Sequence, residues 1–288
     1  MDGTGTATKT IFIDGEAGTT GLGIRQRLET MAGVALRAID PALRKDPQAR
    51  QAMYASVDLV VLCLPDDAAK ESVALMDKLG AKAPRVVDAS TAHRVAPGWV
   101  YGFPELSRDH KAAVASATRV GNPGCYPTGA IALVRPLIDA GIMPKDFPLT
   151  VNAVSGYSGG GKAMIEAYEA GKAPSFELYG LGLEHKHVPE LMEYTGLARR
   201  PIFVPSVGNF KQGMLVSVPL HLDTLNGKPK PADLHAALAK HYAGDGYVKV
   251  VPAEAGGKIE AEALNGTNDL ELRVFANDKH GQAVLVAR

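Results

Sequence analysis

The 288 residues include only two cysteines, Cys63 and Cys125. That excludes a secreted disulfide framework and a zinc site of closely spaced thiols, and it makes the reducing cytoplasm the expected compartment. Net charge is lacking too. Lys plus Arg number 31 and Asp plus Glu number 31, so no sequence-wide positive field exists to hold a polyanion, and nucleic acid is not an expected partner. Long apolar runs are absent. The longest, Leu59 to Leu64, falls far short of the roughly 20 residues that cross a bilayer. The opening MDGTGTATK has no apolar core of the kind that marks an export signal, so a chain neither exported nor membrane-embedded is expected. Internal repeats and low-complexity tracts are missing as well: 31 glycines and 19 prolines stay below the share that marks collagen-like or disordered chains.

What is present is an ordinary globular composition, 46 % apolar and 22 % charged. At roughly 100–200 residues per domain, the length predicts two domains. Residues 8–13, TKTIFI, are β-branched and apolar up to Asp14-Gly15, after which Leu22 to Leu28 takes helical spacing. Strand patterns recur at Val34–Ile39, Asp58–Leu64 and Arg85–Asp88, with helical stretches at Asp46–Ser56 and Asp67–Leu79 between them. This alternation predicts an α/β fold with a parallel, doubly wound sheet. VDLVVLCLP is apolar on both strand faces, as a central strand covered by helices requires. Past Asp88 the pattern is irregular until GNPGCYPTG opens a helical stretch, Thr128 to Ala140. The domain boundary is expected there, giving residues 1–122 and 123–288. The second half reads as mixed α+β, with strands at Leu149–Ala153, Ile202–Val207, Met214–His221, Leu270–Phe275 and Ala283–Val286 and helices near Ala163–Ala170, Val188–Tyr194 and Pro231–Tyr242.

Chemistry concentrates in a few places. DGEAGTTGLG sets Gly15, Gly18 and Gly21 between a strand and a helix, where glycines let backbone N–H groups approach a pyrophosphate at the helix N-terminus. The spacing is G-x-x-G-x-x-G, which a plain tight turn also satisfies. Asp40 is placed to hold the ribose of NAD, whereas Arg44 and Lys45 are placed to neutralise the 2′-phosphate of NADP; both cofactors remain open on this reading. Cys125 stands at the start of a predicted helix, with Pro127 suited to its first turn. The positive end of the helix dipole should draw its thiol toward the thiolate, the form that attacks carbonyl carbon. Cys63, mid-strand in an apolar run, reads as packing.

His185 and His187 in LEHKHVPEL lie two apart, so in an extended segment both face one cleft with Glu190 near enough to orient one, or they are solvated loop histidines. No third ligand accompanies them at metal spacing, and no metal is expected. In DASTAHR, Ser90, Thr91 and Arg94 follow a strand end, a clamp for phosphate or carboxylate or an ordinary surface trio. Lys162, after three glycines, holds a substrate anion or is solvated.

Taken in chain order, IFIDGEAGTTGLGIRQRL, LCLPDDAA, DASTAHRVAPGWVYGFPEL, GNPGCYPTGAIAL, VSGYSGGGKA, YGLGLEHKHVPEL, GNFKQGMLV and EALNGTNDLEL closely resemble the N-acetyl-γ-glutamyl-phosphate reductases, NADP-dependent enzymes of arginine biosynthesis, in their shorter form. The resemblance covers nearly the full length. It implies a Rossmann-type dinucleotide-binding domain followed by the α+β catalytic and dimerisation domain shared with aspartate-semialdehyde dehydrogenases, and a homodimer or homotetramer. It implies Cys125 as nucleophile and His185 as acid/base. Gly15, Ala17, Gly18, Thr19, Thr20 and Gly21 of the glycine turn, with Leu64 and Pro65, would bind NADP. Ser90, Arg94, Asn122, Lys162, His187 and Glu190 would face the substrate, N-acetylglutamyl phosphate. The family's closing segment, reading like LDNLGKGASGAAVQN, does not follow VLVAR, and a first domain with an incomplete helix layer and weaker hold on NADP is the expectation. The rival readings are a thiol dehydrogenase of the aspartate-semialdehyde type and a non-catalytic NADP-binding regulator.

Overall fold

The computed structural model describes residues 8–16 and 18–288. The chain forms two compact units, residues 1–102 with 112–123, and residues 103–111 with 124–288. The first unit begins with β1 (Lys9–Asp14), α1 (Thr19–Glu29), β2 (Val34–Arg37), α2 (Pro47–Tyr54), β3 (Leu59–Leu62), α3 (Asp66–Asp77) and β4 (Arg85–Asp88). These follow the strand and helix spacings of the sequence within a few residues. The segment after β4, irregular in sequence, adds β5 (Val100–Tyr101), α4 (His110–Ser116) and β6 (Arg119–Gly121). Strands of two and three residues are too short to show an alternation of their own, and they form by adding to an existing edge.

Among the described residues the first sheet runs β2-β1-β3-β4-β6-β5, every neighbouring pair parallel. β3 lies between β1 and β4, with Val60, Val61 and Leu62 buried, as its two-sided apolarity requires. One face packs Phe12, Val60 and Leu62 against Tyr54, Val73 and Met76; the other sets Ile11, Ile13 and Val61 against Ile24, Leu28 and Cys63. Cys63 therefore lies in apolar packing, one residue beyond β3 rather than within it.

The second unit contains α5 (Cys125–Asp139), β7 (Thr150–Gly156), α6 (Lys162–Glu169), β8 (Phe176–Leu178), α7 (Val188–Thr195), β9 (Ile202–Gly208), β10 (Met214–His221), α8 (Pro231–His241), β11 (Val248–Val250), β12 (Leu270–Asn277) and β13 (Gln282–Ala287). The sheet order is β11-β12-β13-β10-β7-β9-β8, mixed because β7–β9 and β11–β12 run parallel and the remaining pairs antiparallel. Helix α5 is apolar nearly all round, from Tyr126 through Ile138, and it is buried accordingly. Gly129 allows its close approach: a Cβ there would lie 2.9 Å from Val216 Cγ2 of β10. Among the described residues no helix is long and apolar enough to cross a membrane.

Leu62 is fully buried in the first unit's core. Leu62→Ala is expected to cost about 2–5 kcal/mol, read as a lowered urea midpoint at unchanged m-value. A cost below about 0.5 kcal/mol would show that β3 is not central to this core.

Candidate active site

Gly124 adopts an extended conformation as the cap of α5, so the helix begins on Cys125. Its first bond is Thr128 N–H to the Gly124 carbonyl at 3.0 Å, and the Thr128 hydroxyl donates to the same oxygen at 2.8 Å. Pro127 sits in the first turn, where its missing N–H costs no helical bond. Cys125 is exposed at the end of the helix where the amide dipoles leave partial positive charge. Its neighbour Tyr126 anchors the turn in the interior, donating to the Ser206 carbonyl and accepting from the Ser155 hydroxyl, each at 2.8 Å.

The start of α7 is tied to this point. Glu190, 1 % exposed, accepts the Gly124 N–H at 2.9 Å. The sequence reading had Glu190 facing substrate; its burial and this bond make it part of the scaffold that carries Cys125. On the same turn His185 and His187 sit edge to face, ring centroids 4.6 Å apart. They lie together as the two-residue spacing implies, although the segment is a turn, with His187 in helical conformation as the cap of α7. His187 is buried beside Tyr126. His185 is half-buried between Tyr179 and Phe203. Burial, with the Lys186 charge, lowers its pKa, so near neutral pH the ring is uncharged. His185 Nδ1 accepts the His187 N–H at 3.2 Å, which leaves the neutral ring's proton on Nε2. Burial, and then the neighbouring Tyr126 and Cys125, push the Tyr179 phenol above its ordinary range, so it persists as a hydroxyl donor.

A cavity of about 330 Å³ opens beside Cys125, with Ser155, Ser158, Gln212, Asn265 and Arg288 among its walls. None of these was singled out by sequence reasoning, although VSGYSGGGK, GNFKQGM and EALNGTND run through it. Hydroxyls and amides at such wide separations give no spacing signal. Lys162 is not among the lining residues. It opens α6 in solvent and pairs with Glu166 at 3.7 Å.

In the first unit the glycine turn is closed by Gly18 N–H to the Gly15 carbonyl at 3.0 Å. Gly15 has φ +92°, and a Cβ on it would stand 2.4 Å from the Cys63 carbonyl; one on Gly21 would stand 2.5 Å from the Gly15 carbonyl. Only glycine fits at either place, and the turn leads directly into α1, which no side chain caps at Gly18. Backbone packed this closely, ending at an uncapped helix N-terminus, fits a pyrophosphate-bearing cofactor. Thr19 and Thr20 open α1, and Leu64 backs Gly15. Pro65 caps α3. Ala17 lies outside the described residues. β2 ends at Arg37, so Asp40 lies three residues past it, its carboxylate accepting the Ala42 N–H at 2.8 Å; Arg44 and Lys45 are exposed.

In the loop after β4 the expected clamp residues bond groups of the first unit. Ser90 donates to Asp88 at 2.7 Å, Thr91 bonds Asp66, and buried Arg94 donates through Nε to the Asn122 carbonyl at 2.9 Å. Asn122 itself is exposed, its N–H donated to the Asp88 carbonyl at 2.7 Å. Ser90 thus braces the end of β4, and Arg94 the residue that follows β6. Among the described residues no group of three or more His, Cys, Asp or Glu side chains could hold a metal ion.

Residues 20–114 match the NAD binding domain of semialdehyde dehydrogenases and residues 125–288 their dimerisation domain. Solved structures share the fold at low identity. An aspartate semialdehyde dehydrogenase of Francisella tularensis superposes with TM-score 0.69 at 11 % identity, over 96 % of this chain and 94 % of that one. That of Candida albicans, with NADP, gives 0.64 at 14 %, over 98 % and 93 %. Fold and matched domains together define a semialdehyde-dehydrogenase-type oxidoreductase. N-acetyl-gamma-glutamyl-phosphate reductase 2 of Pseudomonas putida is 50 % identical over 97 % of this chain and 90 % of its own length, and the N-acetyl-gamma-glutamyl-phosphate reductase of a Chelativorans species is 53 % identical over 97 % and 92 %. The chain belongs to the N-acetyl-gamma-glutamyl-phosphate reductase family.

Burial, with the charges of Asp88 and Asp14, pushes the Cys63 thiol up to about 11, so at pH 8 only about one molecule in a thousand carries it as thiolate. Iodoacetamide at that pH is expected to label Cys125 alone by peptide mapping. Comparable labelling of Cys63 would contradict its place in the core.

Proposed function

We propose that this chain reduces N-acetylglutamyl phosphate to N-acetylglutamate semialdehyde and phosphate, with NADPH, in arginine biosynthesis, acting in the cytoplasm as a homodimer or homotetramer. The observation that carries the reading is a thiol on the first residue of a buried helix, its cap peptide held by Glu190, beside a cavity with serine, glutamine, asparagine and arginine among its walls. Family membership supports the substrate.

The Cys125 thiolate attacks the γ-carbonyl carbon of the acyl phosphate, and the carbonyl electron pair moves to oxygen. Collapse of that tetrahedral species breaks the C–O bond to phosphate and leaves a thioester on Sγ. Amide donors of the first turn of α5 and the Nε2–H of neutral His185 stabilise the oxyanion. Tyr179, kept protonated, supplies a hydroxyl in the same region. Gly15, Gly18, Gly21 and the first turn of α1 would hold the dinucleotide, with Thr19, Thr20, Leu64 and Pro65 beside them, and Arg44 and Lys45 favour a 2′-phosphate. NADPH, when bound, supplies the hydride that converts the thioester to aldehyde. The oxyanion that results, its charge shared with the His185 Nε2 proton, re-forms the carbonyl as the C–S bond breaks, releasing the aldehyde and returning Cys125 as thiolate.

The phosphorolytic assay tests this reading, with N-acetylglutamate semialdehyde and aspartate semialdehyde as alternative substrates and NADP and NAD as alternative oxidants. Turnover is expected with the first aldehyde and NADP. Cys125→Ser should lose nearly all of it while retaining NADP binding, and His185→Asn should lower kcat by roughly 10²–10⁴, with a smaller loss for His187→Asn. Turnover of aspartate semialdehyde alone would overturn the substrate assignment. A larger loss at His187 would move the His185 role there.

A further inference from the structure

The first unit contains a buried polar cluster that the mechanism above does not use. Asp14, the last residue of β1, is 7 % exposed. Its Oδ2 accepts from Arg50 Nη2 at 2.9 Å and from the Tyr54 hydroxyl at 2.5 Å, both on α2, while Ser72 Oγ of α3, which donates to the Ala68 carbonyl at 2.8 Å, lies 3.4 Å away. Arg50 Nη2 also donates to Ser72 Oγ at 2.6 Å. Arg50 is 8 % exposed, and Ser72 and Tyr54 are fully buried. A carboxylate with two close donors and a braced guanidinium in an otherwise apolar layer is costly to assemble, and replacing such a group by apolar packing is often neutral or stabilising. Stability alone is therefore a weak reason for it.

Its position supplies a better one. Asp14 immediately precedes Gly15, on which the glycine turn closes. The Asp14 carbonyl accepts the Cys63 N–H at 2.8 Å, while Gly15 presses so closely on the Cys63 carbonyl that a methyl group would stand 2.4 Å from it. The Gly15 carbonyl in turn receives the Gly18 N–H and leaves no room for a side chain on Gly21. The Asp14 side chain is held by α2 and its carbonyl by the segment after β3. The peptide entering the turn is thus fixed from both ends of one residue. Burial and the Asp14 charge keep Tyr54 protonated, so this donor persists at every physiological pH.

We propose that Asp14, held by Arg50 and Tyr54, is the positioning residue of the dinucleotide turn: it fixes Gly15 so that the turn's amides are pre-aimed at the cofactor's pyrophosphate. The proposal rests on the dinucleotide reading above. Preorganised donors bind without the entropic cost of ordering a glycine-rich loop, so loosening the cluster shows in cofactor affinity and leaves the acyl-phosphate side of the reaction untouched.

The test is calorimetric titration with NADPH, with KM for each substrate and the rate of Cys125 alkylation measured alongside. Asp14→Asn is expected to weaken NADPH about tenfold or more, and Tyr54→Phe, which removes one hydroxyl, about threefold. In both, KM for the acyl phosphate and the alkylation rate should match wild type. A merely structural role would instead lower the active fraction, reducing apparent kcat at unchanged KM and Kd. Asp14→Asn with Arg50→Met removes the uncompensated cation as well; binding that stays weak supports the proposal, and wild-type affinity would overturn it by reducing Asp14 to a counter-ion. If Asp14→Asn does not fold, Tyr54→Phe decides: wild-type Kd overturns the proposal. Wild-type protein that binds no nicotinamide dinucleotide would remove the underlying reading, and the positioning role with it.

Discussion

The bond from the Gly124 N–H to the buried Glu190 carboxylate is the constraint on which the second unit's chemistry depends. It joins residues 66 apart in sequence and fixes the peptide preceding Cys125 against the turn that carries His185 and His187. An intramolecular hydrogen bond contributes about 0.5–1.5 kcal/mol net, and leaving either partner unsatisfied in the interior costs about 1–3 kcal/mol. The first turn of α5 and the cap of α7 therefore behave as one piece, and the proposed nucleophile shares a scaffold with both imidazoles. The amide dipole of α5 is directed at Cys125 and favours its thiolate.

Rigidity of this piece comes from packing. Helix α5 is buried along nearly its whole length, and Gly129 brings it into contact with β10 and β13. Tyr126 adds a fixed point through Ser155 and Ser206. Ser155 also lines the cavity, so the packing that immobilises the helix shapes the space in which an acyl group would sit. A nucleophile on a buried helix is held more precisely than one on a loop.

Much of this was legible in the sequence, and the exceptions share a cause. The strands β1 to β4, helix α5 and the central place of β3 follow from local periodicity, and the glycine turn from three glycines between a strand and a helix. β5, β6, β8 and β11 have two or three residues each; they exist because a neighbouring edge offers unpaired donors and acceptors, which no local pattern records. Glu190 as a clamp was equally invisible, because its partner lies across 66 residues. Asp40, Ser90 and Arg94 are singled out by residue type and by place after a strand end, and in the structure their side chains bond backbone or a neighbouring carboxylate, partners that no local spacing records. The two histidines lie together for a reason other than the extended spacing: a turn leading into α7 brings the rings edge to face.

The covalent step can be isolated by mixing the protein with N-acetylglutamyl phosphate in the absence of any nicotinamide cofactor, quenching in acid, and combining phosphate release with intact-mass and peptide-mass analysis. The account predicts one phosphate released per active site in a single burst, and an N-acetylglutamyl group in thioester linkage on Cys125. Phosphate retained until NADPH is added, or an acyl group on any other residue, would contradict it.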